Sequence, residues 1–407
     1  MAIIILGLNI PKVVGKITPA CKKLLTSQGN LKLPAIGSRR SICGKTLRDP
    51  DVKRPPPFPY KEKRYTMLRS WFDRTTHRFD ENSKIIVVDG AVASGKSAVA
   101  KQLAEELDML YMPEANMDMI YINPYGYNMR QLDPQLPESC QSFDTRDFCL
   151  NPNHLNAAGL QLMLYRLKFA QYIDALAHVM NTGQGVVLDK SCYSDFAYIE
   201  AMAKEGFISK AARSVYYDVK RHTIDELMRP HLAIYLDVPV DKVQEKIKKR
   251  GRPHEQNSKA LSASFLTTLE EAYKRQYLKE VSAHSELLIY DWSDGGDVEV
   301  VVEDIERIDF DKYTVYDQKL KDWRLHKEQA WSDKRMIYTD QKQWLMNFFN
   351  VPRLDCPELL IDGNDMMKFT EVWYKAPGMR YEKGYNESMG DTGILMRIFP
   401  PKKTDYL

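Results

Sequence analysis

Gly90-Ala91-Val92-Ala93-Ser94-Gly95-Lys96-Ser97 sets two glycines with four residues between them and follows the second with lysine and serine. This is the spacing of a phosphate-gripping loop. The glycines let the backbone curl so that successive N–H groups face one anion, and a following helix N-terminus adds partial positive charge. Lys96 then reaches the β- and γ-phosphates of a nucleotide, and the Ser97 hydroxyl ligates Mg²⁺. A plain glycine turn would explain Gly90 and Gly95 but not Lys96-Ser97, so Gly90, Ser94, Gly95, Lys96 and Ser97 are the expected phosphate contacts.

Such a loop must hang between a strand and a helix, and the flanks supply both. Short apolar runs at Ile85 to Val88, Leu110 to Met112, Val186 to Leu188, Leu232 to Leu236 and Leu287 to Tyr290 predict strands. Between them Val99, Leu103 and Leu107 recur every four residues, and Leu164 to Met180 reads as another amphipathic helix. Strands alternating with helices predict an α/β fold, three layers around a parallel sheet.

Several motifs follow the loop in the order of the deoxynucleoside kinase family, which residues 81 to 308 resemble. Glu114 falls where that family places the carboxylate that takes a proton from a nucleoside 5′-hydroxyl, although Pro113 here precedes it. Gln161 is similar to the base-reading glutamine, with Lys168 where arginine is usual. Leu188-Asp189-Lys190-Ser191-Cys192-Tyr193-Ser194-Asp195 resembles the acidic-Arg-Ser…Tyr-Ser-Asp segment, with lysine again in place of arginine at 190. The basic run Lys246, Lys248, Lys249, Arg250 and Arg252, followed by Glu255, resembles the family's lid. The resemblance implies a P-loop nucleoside-kinase-like fold with Asp189, Arg250 and Arg252 near the phosphates. It places Gln161, Lys168, Asp195 and Glu255 around base and sugar, and Glu114 with Lys190 at the reacting end. Lysine keeps the charge of arginine but not its planar fork, so both replacements favour binding over turnover.

The charge is uneven. Residues 1–48 hold nine cations and no acid; the remaining 49 basic and 55 acidic residues leave a body of about −6. That balance argues against a broad nucleic-acid footprint. The acid-free leader, residues 1–43, fits a mitochondrial transit peptide with removal near Arg39-Arg40-Ser41. A stiff Pro55-Pro56-Pro57-Phe58-Pro59-Tyr60 stretch sits in a linker or docking arm, residues 44–80. Runs such as Ala2 to Leu8 fall short of the roughly 20 apolar residues that cross a bilayer, so membrane contact is expected to be peripheral. Six cysteines show no CxxC pairing, and neither HExxH nor a GxGxxG dinucleotide turn is present. No zinc, haem, iron–sulfur cluster or FAD is therefore expected. The expected ligand is a purine nucleotide with Mg²⁺.

Residues 309–407 change character, with helix-like stretches around Trp323, Trp331 and Trp344 and an irregular tail. Tryptophans at this density anchor an extension on its own domain or bury in an interface with a partner. The leader, the stretches His77 to Asp89 and Thr182 to Ser191, and the tail Arg380-Tyr381-Glu382-Lys383-Gly384-Tyr385-Asn386 resemble the kinase-like accessory subunits of mitochondrial respiratory complex I. This second resemblance implies a non-catalytic partner of other complex I subunits in the respiratory electron-transport chain, peripheral on the matrix side of the inner membrane. An active mitochondrial deoxynucleoside kinase is the competing reading.

Overall fold

Ile85-Ile86-Val87-Val88 is apolar without alternation, which suits a strand covered on both faces, and the computed structural model buries it fully. The structure describes residues 42–45, 54–314 and 316–394. The leader's expected cleavage at Arg39-Arg40-Ser41 lies outside them. Five strands form one parallel sheet: β1 (Ile85–Gly90), β2 (Leu110–Met112), β3 (Val186–Asp189), β4 (Leu232–Asp237) and β5 (Glu286–Asp291). Their order is β2-β3-β1-β4-β5, with Ile85 opposite Val186 on one side of β1 and Ile86 opposite Leu232 on the other. The α/β fold class expected from the sequence is borne out. Because the chain leaves β1 towards one edge and later returns on its other side, a crevice opens at the carboxyl ends of the central strands.

The principal helices are α1 (Lys96–Glu106), α2 (Ala157–Thr182), α3 (Phe196–Lys204), α4 (Lys210–Thr223), α5 (Val240–Arg250), α6 (Ala263–Ala272), α7 (Leu278–His284), α8 (Val298–Glu306), α9 (Glu328–Asp340) and α10 (Gly363–Lys375). A π-turn, Tyr273–Tyr277, joins α6 to α7. The expected amphipathic stretch Leu164–Met180 differs in kind. It belongs to a helix of 26 residues buried on nearly every side, including Lys168, Gln171 and Asn181. The reason is tertiary: α9, from the C-terminal quarter, packs along α2 and helps remove its wet face.

That packing accounts for Trp323 and Trp331 of the last quarter, while Trp344 stays 48% exposed. Trp331 is buried against Phe79 and Trp323, and the Trp323 indole donates to the Arg229 carbonyl at 2.7 Å. Both anchor the extension to its own domain. Arg335 fixes the N-terminal arm to the same place. Fully buried, it donates to Asn181 Oδ1 at 2.8 Å and Asp73 Oδ2 at 2.9 Å, with the Tyr65 ring 3.8 Å away. Further on, Phe369 and Trp373 of α10 pack on a satellite cluster of Met129, Leu132, Leu136 and Ala376.

Candidate functional site

β1 ends where its backbone must pass close to β4. A Cβ on Gly90 would sit 2.9 Å from the Leu236 carbonyl oxygen and 3.1 Å from Ser94 Oγ, so only glycine fits. Gly95 turns the chain into α1 with φ of 91°, a conformation that favours glycine. The first N–H groups of α1 have no intrahelical acceptor and face the crevice mouth. They open onto a cavity of about 930 Å³.

Lys96, Ser97, Glu114, Gln161, Lys168, Asp189, Lys190, Arg250, Arg252 and Glu255, drawn from five separate stretches of sequence, line this one cavity together with Gly95. Ser97 hydrogen-bonds Asp189, whose Oδ1 remains buried without a partner, as does Ser94 Oγ. Two orphaned oxygens beside a lysine and a serine fit a Mg²⁺-nucleotide, since each atom would regain a partner from it. Among the described residues no group of three His, Cys, Asp or Glu side chains comes together as a protein-only metal site. Burial pushes the Asp189 carboxyl above its usual range, against the pull of Lys96 and Ser97.

The reacting end is a clamp. Lys190 Nζ donates to Glu114 Oε1 at 3.0 Å, and Lys96 Nζ lies 3.7 Å from Oε2. Desolvation pushes the Glu114 carboxyl up, but the cations of Lys190, Lys96 and Lys168 outweigh it and hold the carboxyl far below the usual range. Lys190 is buried, has φ of 67°, and sits 3.8 Å from the centre of the Tyr198 ring. A non-glycine residue held there is strained, and here Glu114 and Tyr198 hold it.

At the expected base end Asp195 is fully buried: Lys168 takes Oδ1, while Gln161 Nε2 at 2.8 Å and the Tyr216 hydroxyl at 2.9 Å take Oδ2. A carboxylate without water must be paired, and these three donors complete the pairing. Gln161 and Lys168 therefore form the wall, with Asp195 behind them. In the lid, Arg252 donates to Glu255 at 3.2 Å and Arg250 lies 3.6 Å from it, so the buried Glu255 collects both cations. Cys149 also lines the cavity; burial pushes its thiol up to about 11, which leaves it protonated and unreactive at neutral pH.

Sequence reasoning missed a second support. Asp89, fully buried at the end of β1, accepts from Ser194 Oγ at 2.6 Å and from the Tyr277 hydroxyl of the π-turn. Burial pushes its carboxyl up while both hydroxyls pull it down. Tyr198 was missed too; its three-residue spacing from Asp195 was the one signal available.

The family model described as deoxynucleoside kinase matches residues 86–322, which enclose every lining residue named above. The protein "NADH dehydrogenase [ubiquinone] 1 alpha subcomplex subunit 10, mitochondrial" of Rattus norvegicus is 35% identical over 368 residues, covering 90% of this chain and 98% of the rat protein. The chain belongs to the deoxynucleoside kinase family, in its subunit 10 branch. Kinases of the family are more distant: a deoxyguanosine kinase of Dictyostelium discoideum is 26% identical over 236 residues, 58% of this chain and 73% of that protein. A solved deoxyadenosine kinase of M. mycoides with bound dATP is 18% identical, with a TM-score of 0.41, over 54% of this chain and 96% of that chain. The subunit 10 likeness thus runs on into the extensions that the kinase likeness leaves out.

Proposed function

We propose that this chain is an accessory subunit of mitochondrial respiratory complex I, on the matrix side of the membrane arm, and that its crevice holds a purine nucleotide as a structural ligand without turning it over. The observation that carries this reading is the likeness to the rat subunit over 98% of that protein's length, C-terminal extension included. Arg335, Trp331 and Trp323 give the extensions a physical role, since they complete the core around α2.

The crevice chemistry points the same way. Phosphoryl transfer depends on cations poised over charged oxygens. Here Lys190 and Lys168 are point charges committed to Glu114 and Asp195, and the lid arginines are committed to Glu255. A nucleotide has little to disturb in order to bind: Lys96, Ser97 and the amides of α1 would hold its phosphates, and Asp189 with Ser97 its Mg²⁺. The metal's contribution would be neutralisation of phosphate charge. Kept at about 100 times its dissociation constant, such a ligand adds roughly 2.7 kcal/mol to the native state.

Glu114 at the cavity wall favours a second reading, an active deoxynucleoside kinase with Glu114 as the base. Purified chain incubated with ATP, Mg²⁺ and each deoxynucleoside separates the two. No transfer despite bound nucleotide supports the accessory role. Turnover near the ~1 per second low end of ordinary kinases, abolished by Glu114→Gln, supports the enzyme.

A further inference from the structure

Met67, Leu68, Trp71 and Phe72 stand out of the N-terminal arm at 59%, 67%, 68% and 90% exposure. Four large apolar groups in six residues are not the scattered surface hydrophobes of an ordinary monomer. The Met67–Ser70 turn is helical and continues through Trp71, so Met67 lies beside Trp71 and Leu68 beside Phe72 at four-residue spacing. The four side chains form one knob.

The knob is held rigidly. At its base the buried Tyr65 donates its backbone N–H to Asp340 Oδ2 at 2.7 Å and closes the loop by donating its hydroxyl to the Asp73 carbonyl at 2.8 Å. Arg78 and Arg335 grip the Asp73 carboxylate from below. Ser70 donates to the Met67 carbonyl at 2.6 Å and steadies the turn. The protein therefore spends a buried ion-pair scaffold on presenting Trp71 and Phe72 to the outside.

The surroundings select the occupant. Residues 61–74 expose the cations Lys61, Arg64, Arg69 and Arg74 against one exposed acid, Glu62, whereas Asp73 is already neutralised by two arginines. A second copy of the same knob would bring like charges together. Aromatic and aliphatic tips in a segment rich in Lys and Arg match the boundary of an anionic bilayer, where apolar tips enter the acyl edge and cations meet phosphate headgroups. We propose that residues 61–74 form a membrane-surface foot that inserts Trp71 and Phe72 into an anionic phospholipid leaflet. This deepens the peripheral-membrane part of the proposed function and rests on it for the bilayer beside the chain.

The test uses the full chain with vesicles of brominated phosphatidylcholine, with and without phosphatidylglycerol. Bromine quenches an indole that reaches the acyl region, and residues 1–60 contain no tryptophan, so the basic leader cannot produce the signal. Quenching on the anionic vesicles that disappears in Trp71→Phe, with at least ten-fold weaker partitioning of Trp71→Ser/Phe72→Ser at unchanged melting temperature, is the expected result. Quenching that persists in Trp71→Phe, or equal partitioning of the double variant, overturns the proposal. So does a Trp71 shielded only when complex I proteins are added, which would make the knob a protein contact. The assay needs no complex I, so its failure leaves the subunit assignment standing, and loss of that assignment leaves the vesicle result standing.

Discussion

Lys190 and Lys96 grip opposite oxygens of Glu114, at 3.0 and 3.7 Å, so the lysine of the phosphate loop is shared between a carboxylate and the place where phosphates would sit. Glu114→Gln should leave the buried Lys190 without its counter-ion. Removing one partner of a fully buried pair costs about 3–5 kcal/mol, and solvent access to Glu114 brings the expected loss to about 2 kcal/mol. The variant should melt earlier than the parent when nucleotide-free and recover with Mg²⁺-ATP, whose phosphates replace the missing charge. Equal melting in both conditions would show that the clamp is idle.

The same pair predicts an acid response. The folded Glu114 carboxyl lies below its ordinary value of 4.5, so its stabilisation is present above that value and is lost as pH falls towards the folded one. The gap in stability between parent and Glu114→Gln should close as the pH drops below 4.5. Denaturant melts at stepped pH measure it; a gap that widens in acid would contradict the assignment.

Lys96→Ala tests the phosphate loop itself. With nucleotide at about 100 times the parent's dissociation constant, the parent should gain roughly 2.7 kcal/mol and the variant almost none. Calorimetry with and without Mg²⁺-ATP reads this difference, and equal gains would place the nucleotide elsewhere.

His231 supplies a prediction outside the crevice. Its Nδ1 accepts the Ile85 N–H at 3.0 Å, its ring lies 3.9 Å from that of Trp323, and burial together with Lys84 holds its pKa well below 6.5. A depressed folded pKa means stability present above 6.5 and lost as pH falls, by about 1.4 kcal/mol per pH unit for the one proton taken up on unfolding. Between pH 6.5 and 5 the parent should lose stability more steeply than His231→Asn by that slope. Parallel curves would mean that His231 is protonated in the fold.

How much of this was legible follows from the distance over which each feature is encoded. The Gly90–Ser97 loop and the five strands are written in contiguous residues, and the sequence located each strand to within a residue or two of its ends. Glu114, Gln161, Asp189 and Lys190 were found through motif order, and the fold brings them to one cavity. Motif order named Asp195 but said nothing of the Lys168, Gln161 and Tyr216 donors that its buried carboxylate recruits. The Asp89–Tyr277 and Asp73–Arg335 contacts span 188 and 262 residues, and no local pattern marks either partner. The burial of α2 was missed for the same reason, since part of its cover comes from α9.

Arg335→Met tests that long-range closure. Its side chain is the joint between the N-terminal arm, α2 and α9, and losing it takes the guanidinium donor from Asn181 Oδ1 and Asp73 Oδ2. The expected cost is about 3 kcal/mol, with faster proteolysis of both extensions. A loss under about 0.5 kcal/mol, the range of ordinary surface substitutions, would show that the extensions hold without it.

The central claim is tested most directly by native separation of solubilised mitochondrial membranes, with parent and Lys96→Ala chains followed alongside NADH oxidation. The account predicts that the parent chain migrates with complex I and that released small molecules include an intact purine nucleotide. It further predicts that Lys96→Ala lowers the amount of assembled enzyme while turnover per assembled enzyme is unchanged. A parent chain found only as a free protein that phosphorylates deoxynucleosides would contradict it.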